Sequence, residues 1–304
     1  MNVFLTGGTG YIGGAVAGEL ERAGHRVRPL VHRPEKVSEQ GALGREVVEG
    51  SLHDPVLLET AARRADAVIH TASTNGPDAG EVDLLAVRAI LAGLNGTGKL
   101  FIYTSGSWVY GNTGEAMVDE TSPLAPAALV AWRVPVEDEI LAAARERNVR
   151  AVVIRPTIVY GRGGGIPGLL VANGRRDGIV RHVGPSTTRW SLVHVDDLAS
   201  LYVRALERAP AGIVLTAASD ERLSVGDIAR AASEAAGYPG RVAEWPLERA
   251  RESMGPFADA LALTQRVASP KARLLLGWAP KGPSLLEDLL RGSYRTRGPE
   301  KLIA

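Results

Sequence analysis

The reading of the fold starts from Asn2–Gly14, "NVFLTGGTGYIGG". "NVFLT" is a short β-rich run that ends in glycines. Helical spacing then begins at once in "YIGGAVAGELERAG" and stops at Gly24. Gly7, Gly10 and Gly13 stand at G-x-x-G-x-x-G spacing. Gly7 permits a tight turn, Gly10 lets backbone approach a pyrophosphate, and Gly13 lets helix and strand lie close. The helix N-terminus then offers unpaired N–H groups to phosphates. A glycine pattern alone is a weak signal. In the order strand, turn, helix it predicts a dinucleotide loop, with Thr9, Tyr11 and Ile12 between the glycines.

Outward from this loop, strands and helices alternate. "RVRPLV", "EVVEG", "ADAVIHTAS", "KLFIYTS" and "RAVVIRP" read as strands. Between them lie a helix opening at Asp54-Pro55, then "EVDLLAVRAILAGLN", then "VPVEDEILAAARERN". The pattern predicts an α/β fold of Rossmann type: a doubly wound parallel sheet with helices on both faces. After Pro156 the chain turns glycine-rich and irregular. "WSLVHVDDLASLYVRALER" returns to strand then helix, capped by Asp196 or Asp197, and "LSVGDIARAASEAAG" is a helix capped by Ser224. We therefore expect a dinucleotide-binding core over 1–160, completed by about 190–217. A small C-terminal substrate lobe would comprise 161–190 and 218–304, with a loose tail over 295–304.

With 304 residues, 45% hydrophobic and 23% charged, the chain has ordinary globular composition. A net charge of +1 and no recognition helix or aromatic-basic stripe argue against a nucleic-acid partner. The absence of cysteine excludes disulfides, thiolate zinc sites and a cysteine nucleophile. The histidines are dispersed, so no metal site is expected, and His70 in a buried strand reads as packing. No G-x-S-x-G elbow supports a serine hydrolase. No apolar run reaches the ~18 residues of a membrane helix, and the N-terminus lacks the features of a secretory signal. The expectation is a cytosolic (cytoplasmic) protein without a membrane partner.

The end of the second strand bears on the nucleotide. An acid ~20 residues past the glycines would bind the ribose hydroxyls of NAD. Here the stretch is "LVHRPEK", with His32 and Arg33 at that place. A guanidinium can grip a 2′-phosphate that a carboxylate would repel, which favours NADP(H) over NAD(H). The alternative is that Arg33 is a solvated loop cation, with Glu35 close by.

Together "TGGTGYIGG", "VIHTAS", "YTSGSWVYG", "VIRPTIVYG" and "WSLVHVDDLA" resemble the short-chain dehydrogenase/reductase superfamily. The nearest branch is its extended and atypical one, the NAD-dependent epimerase/dehydratase-like proteins. The resemblance implies that Ser51 and Leu52 flank the adenine, and that Thr71, Ala72 and Ser73 pass beside the ribose. It also places Thr104 at the strand end above the cofactor and Pro156, Thr157, Ile158 and Val159 at the nicotinamide. The superfamily's chemistry uses a hydroxyl, a tyrosine and a lysine, the last two as Y-x-x-x-K on the helix after the fifth strand. In this chain no tyrosine has a lysine four residues on. With Glu137 as anchor, Leu129 falls at the tyrosine place and Arg133 at the lysine place. Counting back from Tyr110 puts Gly106 at the hydroxyl place, with Ser105 and Ser107 on either side.

The fold and nucleotide site carry over, while the usual acid–base pair does not. Arg133 could still bond ribose hydroxyls, but a guanidinium holds its proton too firmly to act as a base. Ser105, Ser107, Tyr110 and Arg133 are the catalytic candidates, and Trp132 could form a flat wall. The arginine-rich stretch from Gly161 to Trp190, with Arg162, Arg175, Arg176, Arg181 and Arg189, reads either as a cover for an acidic or phosphorylated substrate or as a solvated loop. The leading expectation is an NADP(H)-dependent oxidoreductase acting on a carbonyl or other unsaturated carbon of a small molecule. The alternatives are a non-catalytic NADP(H)-binding sensor or regulator, and a redox-neutral isomerase or cyclase. A monomer and a homodimer both remain open.

Overall fold

The computed structural model describes residues 1–295. Seven parallel strands form the central sheet in the order β10-β6-β5-β4-β1-β2-β3. In chain order they are β1 Asn2–Thr6, β2 Arg26–Val31, β3 Val48–Glu49, β4 Ala67–His70, β5 Leu100–Thr104, β6 Arg150–Pro156 and, much later, β10 Ile213–Ala217. Because all are parallel, their C-terminal ends share one edge. The order reverses between β1 and β4, which makes a crevice at that edge.

Alternate side chains explain the two layers. Val3, Leu5, Ile69, Ile102, Val152 and Ile154 point to one face. There they meet α1 (Tyr11–Arg22), α7 (Val195–Arg208) and α11 (Pro270–Leu276). Phe4, Val68, Phe101, Ala151 and Val153 point to the other, against α3 (Pro55–Arg64), α4 (Ala79–Leu94) and α5 (Arg133–Glu146). Most of these strand residues are wholly buried on both faces, as a covered parallel sheet requires. Each buried Val, Leu, Ile or Phe contributes about 1.5–3 kcal/mol.

The remainder forms the lobe. β7 (Ile158–Gly161), β9 (Arg189–His194) and β11 (Arg222–Ser224) make a three-stranded sheet, and β8 (Val180–Val183) pairs with β12 (Val242–Trp245). Around them pack α6 (Gly165–Asp177), α8 (Val225–Ala236), α9 (Leu247–Met254), α10 (Pro256–Leu261) and α12 (Leu285–Arg291).

Four details depart from the sequence reading. "PEKVSEQGA" is a helix, α2 (Pro34–Ala42), that the sequence pattern does not announce: its mean hydropathy is low and Gln40 is its one buried residue. The cap of α7 is His194, whose Nδ1 accepts from Asp196 N at 3.2 Å, and not Asp196 or Asp197. Asp197 instead turns away to accept from Lys281 N and Gly282 N, at 2.8 and 2.9 Å. Ala272, Leu276 and Trp278, counted with the lobe by sequence, pack into the core beside α7. β9, expected near the boundary of the core segment, pairs only within the small sheet. The expectation of a loose tail falls, Arg295 apart, outside the described residues.

Candidate active site at the sheet edge

The glycine loop is shaped by close approach. Gly7 has φ +73°, a left-handed conformation that favours glycine. A Cβ on Gly13 would stand 2.1 Å from the Gly7 carbonyl oxygen, so α1 can begin against the loop only with glycine there. Gly10 is the N-cap of α1 and makes no side-chain cap, and no acid lies in the first turn. The first-turn amides beside Ile12 therefore suit an anionic group. Tyr11 is spoken for by the protein: its hydroxyl donates to the Gly161 carbonyl at 2.8 Å, joining α1 to the lobe. Burial pushes its phenol well above the ordinary value.

His32 and Arg33 are exposed at the end of β2, and Arg33 is the N-cap of α2. The Arg33 guanidinium makes no ion pair among the described residues. Ser51 follows β3, where its Oγ accepts from His53 N at 3.2 Å, and Leu52 beside it is buried. Past β4, Thr71 Oγ1 donates to the Thr6 carbonyl at 2.8 Å, Ala72 N reaches Thr6 Oγ1 at 3.4 Å, and Ser73 Oγ accepts from Asn75 N at 3.3 Å. The bonds to Thr6 tie the start of the loop after β4 to the end of β1, and the Ser73 bond shapes that loop locally.

A cleft of ≈ 780 Å³ opens at this edge between core and lobe. Ile12, Ser73, Ser105, Ser107, Leu129 and Arg133 line it, with Pro156, Thr157, Ile158 and Val159. Its volume is ordinary for a small-molecule site. The Thr157 hydroxyl is engaged, donating to the Ala217 carbonyl at 3.0 Å. Thr104 Oγ1 pairs with the Tyr202 hydroxyl at 2.6 Å, so it too is engaged.

The two serines differ. Ser107 Oγ donates to Gln265 Oε1 at 2.8 Å, and Gln265 Nε2 donates back to the Ser107 and Gly111 carbonyls at 2.8 and 2.9 Å. That reciprocal set fixes the amide orientation and commits the Ser107 proton to Gln265. Ser105 Oγ is buried and has no hydrogen-bond partner among the described residues. Tyr110 does not line the cleft. It is buried, and its hydroxyl accepts from Arg155 Nη1 at 2.9 Å. Arg155 also pairs with buried Glu137, Nε to Oε2 at 3.0 Å. Burial pushes the Tyr110 phenol up to about 12, the Arg155 charge opposing it. Tyr110, at the end of the turn Ser107–Tyr110, is thus committed to Arg155 and away from the cleft lining, which removes it from the catalytic candidates.

Arg133 opens α5 and is held from below. Its Nη1 donates to the Tyr103 hydroxyl at 3.1 Å and the Thr104 carbonyl at 2.9 Å, and its guanidinium lies 4.4 Å from the Trp132 ring centre. Tyr103 donates in turn to Asp83 Oδ2 at 2.7 Å. His70 Nε2 lies 3.2 Å from Asp83 Oδ1, and its Nδ1 lies 2.7 Å from Thr6 Oγ1. A buried polar chain thus runs from the glycine loop's strand to the cleft. Burial, the largest effect, keeps the Tyr103 phenol well above its ordinary value. Sequence reasoning missed Asp83, Tyr103 and Gln265. Asp83 carried a signal, an acid on the buried stripe of an apolar helix, while Gln265 carried none.

The arginines of 162–189 do not cover the cleft. Arg162 pairs with Asp196 at 2.6 Å, Arg175 donates to the Tyr294 carbonyl at 2.7 Å, and Arg176 and Arg181 both pair with Asp177. None of these arginines, nor Arg189, lines it. Among the described residues no helix is long and apolar enough to cross a membrane.

The sequence profile of the NAD dependent epimerase/dehydratase family matches residues 3–217, and the chain belongs to that family. It is similar to an uncharacterized protein of Saccharomyces cerevisiae, 30% identical over 97% of this chain and 99% of the relative. A second relative is the 4-hydroxy-2-methyl-3-oxo-4-farnesyl-3,4-dihydroquinoline-1-oxide ketoreductase of Stigmatella aurantiaca, 25% identical over 96% of this chain and 90% of its own. In fold it is similar to a dTDP-glucose 4,6-dehydratase double mutant from Streptomyces venezuelae with NAD bound, TM-score 0.83, 20% identity, 98% of each chain covered. The family and that neighbour bind a nicotinamide dinucleotide.

Proposed function

We propose that the protein is an NADP(H)-dependent oxidoreductase that reduces a carbonyl or other unsaturated carbon of a small organic molecule. The observation that carries this reading is the cleft at the sheet's switch point, where Ile12 next to the glycine loop, Pro156–Val159 and Arg133 meet beside a buried serine hydroxyl with no partner among the described residues. The uncapped start of α1 and the glycine contacts suit a pyrophosphate. Gly7, Gly10, Ile12 and Gly13 would hold it by backbone, with Ser51, Leu52, Thr71, Ala72 and Ser73 flanking the adenosine half. Arg33, exposed at the start of α2 and without an ion pair among the described residues, would take a 2′-phosphate bidentately.

When bound, the nicotinamide supplies the hydride. Arg133, held by Tyr103 and Thr104 with Nε and Nη2 left over, would bond the ribose hydroxyls in the lysine's place. Ser105 Oγ would donate to the substrate oxygen, because it has no other partner, whereas Ser107 positions the loop through Gln265. The proton then reaches that oxygen from water or through Ser105. The ketoreductase relative supports the reductase direction. Fluorescence titration with NADPH and NADH tests the reading. Tight binding that prefers NADPH is expected; equal affinities would remove the cofactor assignment, and no binding of either would remove the oxidoreductase.

A further inference from the structure

Among the described residues, Arg133 is the one charged residue that lines the cleft. Its Nη1 is already spent on Tyr103 and Thr104, and no carboxylate faces it in the lining. The other cations that sequence places nearby are paired elsewhere or outside the cleft. Much of the remaining lining is apolar, with three aromatic side chains, Trp108, Trp132 and Phe257. Trp108 and Phe257 meet edge to face with ring centres 6.0 Å apart. Trp132 spends its indole N–H on the Leu129 carbonyl at 3.1 Å and carries the Arg133 guanidinium against its ring, so it offers only the ring surface left uncovered. Leu129, Val130, Ile166 and Leu169 add apolar wall, and Ser73 and Asn75 are the neutral polar side chains beside them. A sugar diphosphate would bring two negative charges into a space whose single cation, Arg133, is the group already read as holding the cofactor ribose, which leaves its desolvation largely uncompensated.

We propose that the substrate is an unphosphorylated, flat, apolar carbonyl compound, an aromatic or conjugated ketone or aldehyde, and not a nucleotide sugar. This rests on the oxidoreductase reading above and names the substrate class of the same cleft. Trp108, Trp132 and Phe257 clasp the planar body, and the carbonyl oxygen turns toward Ser105 at the core end. The C=O π bond opens as hydride adds to carbon and a proton to oxygen, giving an alcohol while NADPH becomes NADP⁺. One face of the carbonyl meets the cofactor because the aromatic walls hold the plane of the molecule.

The test is calorimetric titration of protein saturated with NADP⁺, so that no turnover occurs, with NADP⁺ binding measured separately. The probes are 2-acetonaphthone, benzylideneacetone, cinnamaldehyde and UDP-glucose. Binding of at least one of the three carbonyl compounds, with UDP-glucose silent, is expected. Phe257→Ala and, independently, Trp108→Ala should each weaken it about tenfold, as loss of an aromatic partner implies. NADP⁺ affinity should stay unchanged in both variants, which shows that they are folded. Binding of UDP-glucose in preference, or of none of the carbonyl compounds, overturns the substrate class while leaving the cofactor reading intact. Ketone binding by protein that takes no NADP⁺ would uphold the class and remove the cofactor.

Discussion

Ser105 and Ser107 lie two residues apart on one loop, but only one has a proton to lend. Replacing Ser107 with alanine strands the Gln265 oxygen in a buried site and should destabilise the protein by about 1–3 kcal/mol, seen as a lower denaturant midpoint. Replacing Ser105 with alanine removes a buried hydroxyl that has no partner, so stability should hold or rise slightly while carbonyl reduction falls. A Ser105→Ala enzyme of full activity would take the substrate hydrogen bond away from this residue. At the other end of the site, Arg33→Asp should weaken NADPH far more than NADH; unchanged affinities for both would show that Arg33 is only a solvated cation. Tyr110 adds a pH dependence. Its folded pKa lies near 12, above the usual 10, so the neutral phenol is favoured in the fold. That stabilisation is complete below about pH 10 and is lost as pH rises through 12. Alkaline unfolding curves of wild type and Tyr110→Phe should therefore draw together across this window, and parallel curves would mean that Tyr110 takes no part.

Among the elements, α8 shows how local chemistry sets a boundary. Ser224 Oγ accepts from Asp227 N at 3.0 Å, so Ser224→Ala should reduce stability by about 1 kcal/mol without touching nucleotide affinity. Thermal melts with and without NADPH check both halves. This cap, the Asp54–Pro55 start of α3 and the glycine loop were legible because each is written in consecutive residues. The alternation of "VFL", "VIH" and "FIY" runs with helices was enough for the parallel sheet. α2 was not legible, since its nine residues bury almost nothing and present no apolar period. Nor was the cap of α7, because Asp196 and Asp197 look like caps until Lys281 and Gly282, far along the chain, claim one of them. The cleft's polar logic was least visible. Gln265 and Asp83 act on Ser107 and Tyr103 across long separations, and spacing along the chain carries no trace of that.

For the whole molecule, core and lobe are joined by bonds such as those of Tyr11 to Gly161 and Ser107 to Gln265. Unfolding followed by tryptophan emission, with Trp190 in the lobe and Trp278 in the core, should coincide with loss of helix by circular dichroism. Two separated transitions would show that the units melt apart. β10 completes the sheet beside β6, although the whole of α6 and the lobe's first strands lie between them in the chain. A ribosome making this protein must therefore release residues up to Ala217 before the last strand can dock. Until then the backbone N–H and C=O groups along the outer edge of β6 stand unpaired. The nascent chain is exposed to wrong partners during that interval, and slower synthesis across 157–217 would lengthen its need for chaperones.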